Sequence, residues 1–129
     1  MPRPAVVAFV PAVAVLAAIL TGCVGFPVPD DVATYRPDGP GGAAAALSGT
    51  LVRDDGCTYI EDPESGVRTI PVFEAGHVSW AGDRLILDNL SYAIGDTVEF
   101  GGGEYAAGSQ PDVDVPEACD DSVGRWQVN

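Results

Sequence analysis

The sequence predicts an all-β protein: a small disulfide-closed barrel, OB-like at first guess, or a sandwich, following a disordered tether. Three observations predict it. From Ser48 onward apolar and polar residues alternate in short runs, turn residues separate those runs, and no ten-residue stretch carries a helical apolar stripe.

The elements follow in order. Asp54-Asp55-Gly56 reads as a tight turn, and Cys57-Thr58-Tyr59-Ile60 after it is rich in β-branched and aromatic residues. Residues 67–73 form a similar run behind the turn residues Pro63-Glu64-Ser65-Gly66. Residues 84–87 are apolar and follow Ala81-Gly82-Asp83. Ser91-Tyr92-Ala93-Ile94 and Thr97-Val98-Glu99-Phe100 alternate, each preceded by a turn pair, and Arg125-Trp126-Gln127-Val128 alternates at the C-terminus. That gives six or seven strands in residues 48–129, the spacing of a small barrel or sandwich. Tyr59, Phe73, Trp80, Tyr92, Phe100 and Trp126 mostly take alternating positions, so core packing accounts for them first. Tyr105, beside the glycine run at 101–103, is the aromatic expected to be exposed and is the candidate ligand contact.

A domain this small has a marginal core, and small exported domains commonly add a covalent staple. The chain has three cysteines, Cys23, Cys57 and Cys119. If Cys23 is used elsewhere, Cys57 and Cys119 remain as an even pair, 62 positions apart. Closing a loop of that length is worth roughly 4 kcal/mol on the chain-entropy account. A two-cysteine metal site would need further soft ligands, which the sequence does not offer.

Cys23 has its own context. One positive charge, Arg3, precedes an apolar run over residues 6–20, and then comes Leu20-Thr21-Gly22-Cys23. A charged start, an apolar stretch of about 15 residues and small residues before a cut make a secretory signal. With the cysteine directly after Thr21 and Gly22, the stretch resembles the lipobox of bacterial lipoproteins. That resemblance implies removal of residues 1–22, a diacylglyceryl group on Cys23 and residence on the outer face of the cell membrane. Two or more acyl chains anchor stably, whereas one does so only marginally. An uncleaved anchor is the competing expectation, because the uncharged run extends from Pro4 to Pro29. Residues 23–47, with Pro27, Pro29, Pro37, Pro40 and several glycines, then read as a flexible tether reaching at most ~80 Å.

Charge narrows the partners. Six arginines and no lysine stand against 19 acidic residues, a formal net charge of −13. Phosphate backbones repel such a chain, so nucleic acid is not an expected partner. Anionic lipid would not hold it either, which leaves attachment to the lipid on Cys23. Together with "GTLVRDDGC", "SWAGDRL", "GDTVEFGGG", "PEAC" and "RWQV", the composition resembles small β domains of exported proteins from GC-rich Gram-positive bacteria. That resemblance brings no catalytic motif.

Candidate chemistry is sparse. Gly101-Gly102-Gly103-Glu104-Tyr105-Ala106 fits a dinucleotide fingerprint on paper, but Gly108 and Pro111 leave no room for the required helix, so it reads as a loop leaving a strand. His77 is the only histidine; Glu74 or Asp83 could orient it, and Ser79 lies two residues on. Residues 112–121 gather five carboxylates, a solvated acidic loop or a weak Ca²⁺ site, although Pro116 and Glu117 break EF-hand spacing. No cofactor is expected. The expected function is a membrane-anchored, non-catalytic binding or structural module whose partner is an envelope protein or a cell-wall polymer. A small enzyme using acidic residues or His77, and a Ca²⁺-stabilised structural domain, are the alternatives.

Overall fold

A computed structural model describes residues 30–37, 44–105 and 112–129. These residues form ten strands and no helix: β1 (Ala33–Tyr35), β2 (Ala45–Asp54), β3 (Cys57–Glu61), β4 (Arg68–Glu74), β5 (Val78–Ala81), β6 (Arg84–Leu87), β7 (Leu90–Ala93), β8 (Thr97–Tyr105), β9 (Val113–Asp114) and β10 (Gly124–Val128). The all-β expectation holds, as does the disulfide closure described below.

The hairpin between β2 and β3 shows how local sequence starts the fold. Asp55 and Gly56 both take positive φ, 47° and 84°, as a two-residue turn of the type favoured by Asp-Gly requires. That turn sets Asp54 opposite Cys57 and Leu51 opposite Ile60. Long β2 then serves two partners, pairing with β3 through its second half and with β8 through residues 45–50. Strand β3 pairs antiparallel with β4, β4 pairs parallel with β10, and β10 pairs antiparallel with β8. The ring β2-β3-β4-β10-β8 is therefore closed. Numbered along the barrel alone, its strands run first, second, third, fifth, fourth and back to first, which is the connectivity of an OB-fold barrel.

Alternation along each strand separates two cores. Leu51, Ile60, Phe73, Val98, Phe100, Trp126 and Val128 fill the barrel. Their neighbours Val52, Tyr59, Ile70, Val72 and Tyr105 belong to a second cluster with Ala33, Tyr35, Cys57 and Cys119, on the outer face of the same strands. Both faces of β3 are consequently buried, all four residues 57–60 being inaccessible. The outer cluster is roofed by Val113, Val115 and Val123 from the connection between β8 and β10.

The bottom of the barrel is closed by the β5-β6-β7 sheet, whose Val78, Leu85, Trp80, Leu87 and Tyr92 point into the interior core. Phe100 receives Phe73 on one side and Tyr92 on the other, each edge-on with ring centres 5.4 Å apart. Edge-on aromatic pairs add about 0.5–1.5 kcal/mol each beyond area burial, so this stack helps bind the sheet to the barrel.

Three expectations need correction. Part of the span read as tether is folded: Ala33, Thr34 and Tyr35 are buried in β1, which runs parallel to β4, and Ala45 to Leu47 open β2. Tyr35 contributes the reason, since its hydroxyl donates to the Val128 carbonyl at 2.9 Å and its ring fills the outer cluster. Asp31 is held by an ion pair with Arg53, and Thr58 Oγ1 donates to the Asp31 carbonyl at 2.9 Å. The second correction concerns glycines 101–103, which continue β8 to Tyr105 rather than leaving it as a loop. Thirdly, Tyr105 is half-buried against the outer cluster, not fully exposed.

Candidate functional site

The disulfide frames the site. Cys57, at the start of β3, is bonded to Cys119, with Cα atoms 5.1 Å apart. This bond ties the connection between β8 and β10 down onto β3. Asp120 strengthens the seam by donating its backbone N–H to the Tyr59 hydroxyl at 3.2 Å. The outer surface of β3 and part of β4 is thereby closed by the protein's own chain.

Beyond that roof, the outer face continues over β10 and β8, and its side chains there are polar. Trp126 and Val128 point into the barrel, so Arg125 and Gln127 point outward. In the antiparallel register Arg125 lies opposite Tyr105, and Gln127 lies opposite Gly103. Two residues further back along β8, Gly101 faces the exposed Ala46 of β2. The result is a shallow strip: Tyr105 and Arg125 at one end, Gln127 on the flank, and Gly103, Gly101 and Ala46 as a floor without long side chains. Ser48 and Glu99, joined by a 3.1 Å hydrogen bond, close the far end.

Two described arginines have no side-chain partner among the described residues, the exposed Arg36 and Arg125, and Arg125 is the one on β10 opposite Tyr105. Arg53 pairs with Asp31 and stacks on Trp80 with its guanidinium 4.4 Å from the ring centre. Arg68 binds Glu61 at 2.8 Å and Asp54 at 2.9 Å. Arg84 donates to the Ser91 hydroxyl at 2.6 Å. Arg125, half-buried, has no such partner among the described residues, and neither has the Gln127 amide. Burial, with a smaller contribution from Tyr35, raises the Tyr105 phenol above its ordinary value, so it stays a neutral donor and acceptor at physiological pH.

The other sequence candidates fall elsewhere. His77 sits in the turn before β5, its Nδ1 2.6 Å from Asp88 Oδ1 and its Nε2 3.6 Å from Glu74 Oε1. Asp88, rather than Asp83, is thus its second acidic neighbour. Among the described residues no serine, threonine or cysteine is hydrogen-bonded to the ring, so the half-set of base and orienter lacks a nucleophile beside it. Its contacts work as a clasp between the turn and the β6–β7 hairpin. Hydrogen bonding to Asp88, then the charges of Glu74 and Asp88, raise the imidazolium's pKa. A raised folded-state pKa means stabilisation that is complete below the ordinary imidazole value and lost as pH rises through the higher folded value. We expect the His77 ring resonances to titrate above 6.5 in the wild type and to fall back toward that value in Asp88→Asn. Equal midpoints in the two proteins would remove the clasp.

Among residues 112–121, Asp120 Oδ1 already accepts from the backbone and the hydroxyl of Ser122, at 2.9 and 2.6 Å. No three acidic, cysteine or histidine side chains converge as metal ligands among the described residues. Cys23 and the signal-like segment lie outside the described residues, and no described helix is long and apolar enough to cross a membrane. The sequence singled out Tyr105, but not Arg125 or Gln127. Their signal was the alternation of "RWQV", which assigns Trp126 and Val128 to one face and Arg125 and Gln127 to the other.

No protein family, curated protein or solved structure matches this chain.

Proposed function

We propose that this chain is a lipid-anchored module on the outer face of a bacterial cell membrane, and that it works by binding through the Tyr105 face of its barrel. The observation that supports the binding role is the set of unpartnered polar groups, Arg125 and Gln127, lined up beside Tyr105 on a strip floored by glycine. Arg36 and Arg84 also lack a carboxylate among the described residues, but both are exposed, whereas Arg125 is a half-buried guanidinium without one. The lipid part rests on the lipobox-like residues ending in Cys23.

The folded β1 shortens the leash. From Cys23 to Asp30 the chain spans at most about 25 Å, at ~3.5 Å per residue, because Asp31 is already locked to Arg53. A lipid at Cys23 would then hold the barrel close to the bilayer, and its partner would be found there.

A photo-crosslinking residue at position 105 should capture a discrete adduct in cells, and the same residue at exposed Ser91, on the closing sheet, should not. Cys23→Ala should abolish incorporation of labelled fatty acid and release the protein from membranes. The absence of any adduct at 105, whether protein or polysaccharide, would sink the binding role. Undiminished labelling of Cys23→Ala would sink the anchor.

A further inference from the structure

We propose that the strip over β8 and β10 is a subsite for a glycan strand of the cell wall, with one sugar ring on Tyr105 and the next over Gly103 and Gly101. This rests on the binding role given above and adds the chemistry of the ligand.

Four features carry it. First, the strip is a sheet face and not an edge. The backbone of β10 is engaged by β4 on one side and β8 on the other, while β8 pairs with β2 over residues 97–102 and with β10 over residues 102–105. A peptide adding as a further strand would find at most the three-residue outer edge of residues 103–105, so recognition along the strip falls mainly to side chains.

Second, those side chains suit a ring rich in oxygen. Arg125 only donates hydrogen bonds, Gln127 and the Tyr105 hydroxyl donate and accept, and the Tyr105 ring offers an apolar face. A pyranose presents that combination: hydroxyl and amide oxygens around its edge, C–H groups on its face.

Third, the floor is built for close approach. Gly101 has no steric reason to be glycine: a Cβ there would meet nothing nearer than the Ala45 carbonyl oxygen at 3.9 Å, and its φ is not in the left-handed region. Glycine inside a strand costs stability and commonly marks a place where another molecule comes close. From Gly101 to Tyr105 the strip runs about 13 Å, at ~3.3 Å per residue, enough for more than one ring.

Fourth, charge selects the kind of polymer. At a net charge of −13 the chain repels a polyanion, whereas a single guanidinium can still bind an isolated acceptor or carboxylate at contact distance. The glycan is therefore one of low charge density, which argues against phosphate-rich polymers.

The test is co-sedimentation of the full chain in detergent with purified, protein-free peptidoglycan, followed by competition. We expect the wild type to be retained, soluble glycan fragments released by a muramidase to compete, and free stem peptides not to compete. Tyr105→Ala and Arg125→Ala should each weaken retention at least tenfold. Gly101→Ile should do the same while its Tm stays level or rises, since a β-branched residue suits an open strand position. That variant protects the test against trivial unfolding. No retention of the wild type, competition by stem peptides alone, or full retention of Gly101→Ile would each overturn the glycan assignment. A protein adduct from the residue at position 105 would also overturn it while leaving the binding role standing.

Discussion

Replacing Cys57 and Cys119 together with alanine is expected to lower the unfolding free energy by about 2–5 kcal/mol. At roughly 4–8 °C per kcal/mol for a domain of this size, Tm should fall by at least ~10 °C. Two effects combine. Freeing the 62-residue separation restores entropy to the unfolded chain. The folded state also loses the bond that draws the connection between β8 and β10 over β3. Without it the roof keeps the apolar contacts of Val113, Val115 and Val123 and the 3.2 Å hydrogen bond from Asp120 to Tyr59. The three valines are only partly buried, so Tyr59, Ile70 and Val72 should become intermittently accessible. Thermal unfolding measures the first effect, and hydrophobic dye binding with amide exchange on β3 measures the second. A Tm within ~2 °C of wild type would show that noncovalent packing alone holds the roof. Loss of stability without faster exchange on β3 would confine the disulfide's role to the unfolded state.

The stapled roof bears on function as well. OB-fold barrels commonly bind ligands on the face of their second and third strands, between the flanking loops. Here those strands are β3 and β4, and much of that face is occupied by Tyr35, Cys119 and the valines of the connection. The chain has moved its open polar surface one step around the barrel, to β10 and β8. The proposed binding face is therefore not the one that fold-level analogy points to.

Why the sequence revealed some of this and hid the rest has a physical basis. Strands β3, β4, β6, β7 and β10, and the first half of β8, were legible because turn residues flank short alternating or β-rich runs. The cysteine pair was legible by elimination. β1 was not: Ala33-Thr34-Tyr35 is too short to show a period, and Pro37 beside it signals irregular chain. Its stability comes from long-range contacts, the parallel pairing to β4 and the Tyr35 bond to Val128, neither of which leaves a local trace. The second half of β8 was hidden because Gly101-Gly102-Gly103 carries no side chains from which to read alternation. The candidate site straddles that blind region, so Tyr105 could be picked out by type while its neighbours Arg125 and Gln127 could be placed only by the register between β8 and β10.

Gly102→Ala is expected to cost about 3 kcal/mol or more, in contrast to substitution at adjacent Gly101. Gly102 has φ of +151°, where L residues are strained by roughly 1–3 kcal/mol. A Cβ built there would lie 1.7 Å from the Gln127 carbonyl oxygen and 2.8 Å from Nε1 of Trp126. The first contact is with backbone, so relief requires moving β10 away from β8 and opening the ring at the Gly102–Val128 pair. Overpacking adds another ~1–3 kcal/mol, and Trp126, a filler of the interior core, would shift with its strand. For a domain whose whole stability is of order 5–15 kcal/mol, that is a large share. Chemical denaturation should give a lower midpoint for Gly102→Ala, or no soluble protein, while Gly101→Ala keeps or raises the wild-type midpoint. The pair works as one measurement because the two residues share composition, strand and sequence neighbourhood and differ in what their Cβ would strike. Equal effects at both positions would mean that β8 and β10 do not approach as closely as the barrel requires, and the register that brings Arg125 opposite Tyr105 would fall with that result.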